Sequence, residues 1–132
     1  MAFPVSIERI REAEADIGAR FPETYAKAMM EDNGGVLRKG RQQWWLHPIK
    51  DFSDKKRIKR TCNHVLHETN GRREYGGFPE NGVEIAGNGG GDALVLCHSD
   101  GQFSDELFFF DHEKLQLKKL NIRFGDMKKE RG

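Results

Sequence analysis

Residues 7–35 read IERIREAEADIGARFPETYAKAMMEDNGG, and the fold is decided there. Ile7, Ile10, Glu14 and Ile17 recur at i, i+3, i+7 and i+10, one helical face that is apolar except at Glu14, where Ala13 fills the seam. Ser6 stands where an N-cap hydroxyl would accept a first-turn N–H, and Gly18 supplies the left-handed residue that ends such a helix. Pro22 opens a second helix, with Phe21, Tyr25 and Ala28/Met29 on one side. Asn33-Gly34-Gly35 stops it, because positive φ is accessible to glycine and tolerable for asparagine.

Downstream, Val36–Arg38 and Gln43–Ile49 read as a hairpin around Lys39-Gly40, with Pro48 weakening the end of the second strand. The spacing of Ile58, Cys62, Val65, Leu66 and Thr69 predicts one continuous third helix, capped by Ser53 and stopped by Asn70-Gly71. Residues 72–82 are a loop, punctuated by Gly76, Gly77, Pro79 and Gly82. Strands follow at 83–86, 93–98 and 107–110, with a further one from Leu115 to Phe124. Helices first, strands later and short hairpin connections give an α+β fold. Two N-terminal helices and one central helix pack on a mostly antiparallel, twisted sheet, and residues 1–132 form a single domain.

Successive strand side chains point to opposite faces, so Trp44 and Trp45 cannot share one, nor can Phe108/Phe110 and Leu107/Phe109. Strands apolar on both sides need cover on both sides. The helices roof one face, leaving the reverse to the chain's own loops and tail or to another molecule.

The helical segment, with Ile10, Glu14, Gly18, Phe21-Pro22, Tyr25 and Asn33-Gly34-Gly35, is the first of three blocks in a recognisable order. Val83-Glu84-Ile85-Ala86-Gly87 with Gly90-Gly91-Asp92 and Ala93–Leu96 is the second, and Phe108-Phe109-Phe110-Asp111-His112-Glu113 the third. Across roughly residues 5–113 the chain resembles the SUKH superfamily, which includes fungal cell-wall-assembly regulators of Smi/Knr type and many bacterial toxin-immunity proteins. The resemblance marks Glu14, Gly18, Pro22, Tyr25, Asn33, Gly34, Gly35, Gly91 and Asp92 as fold-defining. It implies a non-enzymatic protein that grips another protein with its sheet and adjoining loops. In bacterial relatives that partner is commonly a toxin domain, often a nuclease.

Composition sets the bounds. The 132-residue chain is 36% hydrophobic and 33% charged with a net charge of +1, so no global field holds nucleic acid or an anionic membrane. That balance also suits poorly a nuclease blocker that mimics a phosphate backbone; a toxin without a basic groove, or one held away from its active site, fits better. No apolar run nears the roughly 20 residues of a membrane helix, and no secretory signal opens the chain. A cytoplasmic protein is expected, with Cys62 and Cys97 as small buried hydrophobes rather than a disulfide framework.

Candidate chemistries are weak. His64 and His67 at i, i+3, with Cys62 or His98, lack the paired spacing of a structural zinc site, and no metal or other cofactor is expected. The turn Gly87–Asp92 runs into a strand rather than a helix N-terminus, so it reads as a bulged hairpin turn, with Asp92 bonding its N–H groups, not as a phosphate cradle. Lys55-Lys56-Arg57 and Lys59-Arg60 make a basic cluster with no interleaved aromatic, which reads as a solvated helix face before an acidic partner's contact. No nucleophile elbow or cysteine–histidine relay is present, so no catalytic residue is assigned.

The expected function is therefore a protein-binding module, an immunity protein that neutralises a toxin domain by direct binding. The alternative is a regulatory or scaffold protein that closes its open sheet face as a homo-oligomer, a homodimer for instance. In either case the contact is expected at Trp44 or Trp45, whichever faces away from the helices, with Phe108 or Phe110 beside it.

Overall fold

The computed structural model describes residues 3–130. Helices α1 (Ile7–Ile17) and α2 (Glu23–Glu31) cover the periodic segments, Gly18 turns left-handed at φ 87°, and Pro22 is the N-cap of α2. Ser6 holds the N-cap position of α1 in extended conformation, but its hydroxyl makes no capping bond. After them come β1 (Val36–Lys39), β2 (Gln42–Leu46), α3 (Lys55–Arg60), α4 (Val65–Arg72), β3 (Gly82–Gly87), β4 (Ala93–Ser99), β5 (Gln102–Phe103), β6 (Glu106–Asp111), β7 (Gln116–Arg123) and β8 (Lys128–Glu130). The sheet runs β7-β6-β4-β3-β2-β1-β8, with β5 paired to the end of β4. Every pairing between these strands is antiparallel, and the fold is α+β.

Register assigns the faces. Leu46, Ala86, Leu94 and Phe109 are successive partners across four strands and share one side. That side meets Ile10, Tyr25 and Met29 of α1 and α2 in the main core. An aromatic chain runs through it: Phe21 lies 4.9 Å from Tyr25 and 5.3 Å from Phe103, and Tyr25 meets Phe124 edge-on.

Glu14 interrupts the apolar stripe of α1 for a reason the core supplies. Its carboxylate accepts the Phe21 N–H at 2.7 Å and pairs with Arg11 at 2.6 Å, so it satisfies backbone at the turn between the helices. Asn33 does similar work deeper in: its amide donates to the Ile49 carbonyl and accepts the Ile49 N–H, both at 2.8 Å. Gly34 and Gly35 carry that turn at φ 140° and 95°. A side chain on Gly35 would strike the Glu130 carbonyl of β8, so the turn and the last strand approach closely only because a glycine stands there.

Tyr25 is fully buried and its hydroxyl has no hydrogen-bond partner among the described residues; burial pushes the phenol far above its ordinary pKa. An unsatisfied buried hydroxyl is a liability. Tyr25→Phe is thus expected to stabilise the fold by about 1 kcal/mol, read as a higher urea midpoint. A lower midpoint would mean that the hydroxyl has a partner.

The central helix differs from expectation: it is two short helices. Asp54, not Ser53, caps α3, accepting the Arg57 N–H at 2.8 Å. The break follows from Thr61, a buried residue whose hydroxyl accepts the Asp51 N–H and donates to the Arg57 carbonyl, holding the chain to the preceding loop. His64 then turns extended and caps α4 through its ring nitrogen. Because the stripe is broken there, Ile58 and Cys62 face solvent instead of the core. Nor does Asn70-Gly71 stop the second piece, which continues to Arg72.

Cys97, by contrast, is partly buried, and desolvation lifts its thiol to about 11. Thiolate fraction governs alkylation, so Cys62 is expected to react about tenfold or more faster than Cys97 with a thiol reagent at pH 8. Comparison of Cys62→Ser with the parent chain checks this; equal rates would contradict it.

The reverse of the sheet carries Trp45, Ala93, Phe110 and Leu117 in one register row through Gly87. Half of it is closed by the chain itself. The segment after α4 lays Tyr75 and Phe78 edge-on against Phe110, at 6.4 and 5.4 Å, making a second small core with Ala93 and Val95. That segment can approach because Gly77 sits against the Leu115 backbone, where any Cβ would collide. The half that carries Trp45 has no such cover.

Candidate functional site

The four residues expected at the contact separate in pairs. Trp44 is buried on the helix side, edge-on to Phe109 at 5.8 Å, and Phe110 is sealed under Tyr75 and Phe78. Neither can be reached by a partner. Trp45 is 50% exposed, and Phe108 is half-buried in the second core. Of the four, the open side chain is Trp45.

Trp45 borders an open groove of about 400 Å³ on the reverse face, between the Gly87–Asp92 turn and the region of α4. At its base lies Glu84, held between a guanidinium and an imidazole: Arg72 Nε donates to it at 2.7 Å, and His47 Nε2 lies 2.6 Å from its other oxygen. The Glu84 backbone N–H donates to the Thr69 hydroxyl of α4 at 2.9 Å. A β-bulge between Glu84 and Ala86 shifts the register here, and such an irregularity re-aims a strand side chain. The Arg72 guanidinium lies 4.7 Å from the Tyr75 ring and 5.5 Å from Phe110, so its charge is met by one carboxylate and two aromatic faces.

Glu68 also lines the groove. It is half-buried, and it has no ion pair or side-chain hydrogen bond among the described residues. Its carboxylate lies within 4.8 Å of ligand atoms on both His47 and Glu84. One imidazole and two carboxylates could in principle hold a divalent cation, although both Glu84 oxygens are already engaged. A second group, Asp92, Asp111 and His112, gathers at the neighbouring turn. These are not the residues that sequence spacing raised for metal. His64 caps α4, Cys62 is exposed, and His98 stacks edge-on with Phe103 at the end of β4.

The glycine-rich turn is a hairpin turn, but Asn88 rather than Asp92 organises it. The Asn88 side-chain Oδ1 accepts the Gly90 and Asp92 N–H groups. Asp92 instead reaches the β6–β7 turn, accepting the His112 N–H at 3.1 Å and meeting the His112 ring at 2.7 Å. Burial opposes ionisation of Asp92, but the hydrogen bonds from His112 and Asn88 outweigh it and hold the carboxyl below its usual range. Gly91 lets the His112 ring lie against the turn, its Nε2 2.9 Å from where a Cβ would sit.

The basic cluster on α3 has an aromatic after all. Phe3 from the N-terminal segment lies under it, 4.6 Å from Arg57, 4.8 Å from Arg60 and 5.6 Å from Lys56. Arg57 is engaged by Asp54 at 2.5 Å and Asp51 at 3.5 Å, so part of the positive charge is compensated within the chain. No helix among the described residues is long and apolar enough to cross a membrane.

A family model described as the SMI1 / KNR4 family (SUKH-1) matches residues 4–130. No curated protein and no solved structure matches the chain.

Proposed function

The chain belongs to the SMI1/KNR4 (SUKH-1) family, and on that premise we propose that it is a non-enzymatic, single-domain protein-binding module. Its role is that of an immunity protein, which neutralises a toxin domain in the cytoplasm by direct contact at the Trp45 half of the sheet. One observation carries the reading: a large aromatic, half-exposed, stands at a groove on a face whose other half the chain has closed for itself. Large aromatics in a polar surround dominate interface energetics. The thiol of Cys97, lifted rather than lowered, offers no activated nucleophile.

Self-association is the competing reading, and the outer edge favours it least. Among the described residues β7 pairs with β6 alone, and it carries Lys118, Lys119 and Arg123 at exposed positions, with Lys119 paired to Glu106 and Arg123 to Asp105; charged side chains on an edge strand discourage edge-to-edge pairing.

Affinity capture with the tagged chain from its native host, followed by light scattering at micromolar concentration, tests the proposal. A monomer that takes up one captured protein in a 1:1 complex supports it. Growth arrest by that protein alone, relieved on co-expression of this chain, identifies a toxin. A stable dimer with no captured partner would overturn it in favour of the homo-oligomeric scaffold.

A further inference from the structure

We infer that the groove beside Trp45 receives a lysine or arginine side chain of the partner protein. This rests on the protein-binding reading and adds the chemistry of what is bound.

The charge at the groove is unbalanced. Glu68, Glu84 and Asp92 line it against one permanent cation, Arg72. Arg72 is committed to Glu84 through Nε: its side chain is only 10% exposed and flanked by Tyr75 and Phe110, and its Nη1 is buried without a hydrogen-bond partner among the described residues. His47 faces the remaining Glu84 oxygen, and Asp92 is tied to His112. That leaves Glu68, a half-buried carboxylate without a counter-ion among the described residues, beside a second carboxylate that is nearly fully buried.

A docking partner that covers the groove takes water from Glu68. An apolar or acidic side chain would leave that carboxylate dry and unpaired, which is strongly unfavourable. A guanidinium or ammonium pairs with it and can also reach the half-exposed Trp45 ring, where cations are attracted by the ring quadrupole. Trp45 and Glu68 both line the one groove, so one cation can use both. A divalent metal would use Glu68, Glu84 and His47 but not the tryptophan, and it would have to compete with the bonds Glu84 already makes. The near-neutral chain thus holds a locally acidic, aromatic-walled notch, which suits a partner with a basic surface residue.

The test is a 1H–15N NMR titration of the full chain with three capped tripeptides, acetyl-Gly-Xaa-Gly-amide, where Xaa is Arg, Glu or Leu. The arginine peptide is expected to shift the Trp45 indole N–H and the amides of residues 87–92 saturably, the other two weakly. Glu68→Gln should weaken the arginine peptide at least about threefold. Equal shifts with all three peptides, arginine shifts confined to other surfaces, or no change in Glu68→Gln would overturn the inference. So would stoichiometric Zn2+ that moves the His47 and Glu68 signals and excludes the arginine peptide, which would make the groove a metal site. Failure here with a partner still captured, and lost on Trp45→Ala, sinks the cation alone. Arginine binding with no protein partner captured sinks the protein-binding reading instead.

Discussion

Glu84→Ala is expected to destabilise the fold by about 3–5 kcal/mol, the largest loss from removal of one charged side chain here. The mechanism is the stranding of Arg72. With Glu84 and Arg72 side chains 5% and 10% exposed, neither group is in high-dielectric water, so the pair is not a screened surface bridge. Alanine takes away the acceptor for Arg72 Nε and the partner of His47, and leaves a guanidinium whose Nη1 already lacks a hydrogen-bond partner among the described residues. For a domain of this size the thermal midpoint should fall by roughly 10–20 °C. Glu84→Gln retains an acceptor and should lose less. The double change Glu84→Leu with Arg72→Leu should recover much of the deficit, because replacing both members of a buried pair by apolar groups is often close to neutral. Urea melts of the four proteins decide the matter. A Glu84→Ala chain within 1 kcal/mol of the parent would show that water or rearrangement satisfies Arg72, and the pair would then hold the groove's shape without supporting the fold.

That triad was invisible in the sequence. Glu84 appears only as a charged residue inside the apolar run Val83–Ala86, and Arg72 as one of many surface cations; their meeting depends on how α4 lies against β3. Elements carried by side-chain periodicity were legible. α1 and α2 end within a residue or two of where their apolar faces and glycines put them, and the strands 93–98 and 107–110 grow by one residue at each end at most. Elements held by backbone or tertiary contacts were not. β8 reads Lys-Lys-Glu, with no alternation to detect; it is positioned by pairing with β1 and by the Lys129 ammonium on the Ala28 and Asp32 carbonyls. The break between α3 and α4 lies under an apolar stripe that would have continued through it, and is set by a Thr61–Asp51 contact no local pattern announces. At the proposed contact surface, alternation required that Trp44 and Trp45 face opposite ways but could not say which faced outward. The pairing of β2 with β1 and β3 decided it.

Trp45→Ala should therefore separate binding from folding. Its ring is half in water, so the monomer's stability is expected to change by less than about 0.5 kcal/mol, as for other surface substitutions. Affinity for the partner is expected to drop by at least about 2 kcal/mol, roughly thirtyfold, because a half-exposed ring at a groove contributes when the partner completes its burial. The neighbours behave in the opposite sense. Trp44→Ala and Phe110→Ala empty buried sites and should cost about 3–5 kcal/mol of stability, any loss of binding following from unfolding. Phe108→Ala, half-buried in the smaller core, should fall between. Titration calorimetry with the captured partner, alongside a thermal melt of each variant, places the four residues on two axes. A Trp45→Ala chain that melts like the parent and binds like it would move the interface off this face. One that melts early would show the ring braces the Gly87–Asp92 turn, where Gly89 lies close to the indole. A wild-type melt with affinity lost is the combination that a docking residue produces and a packing residue cannot.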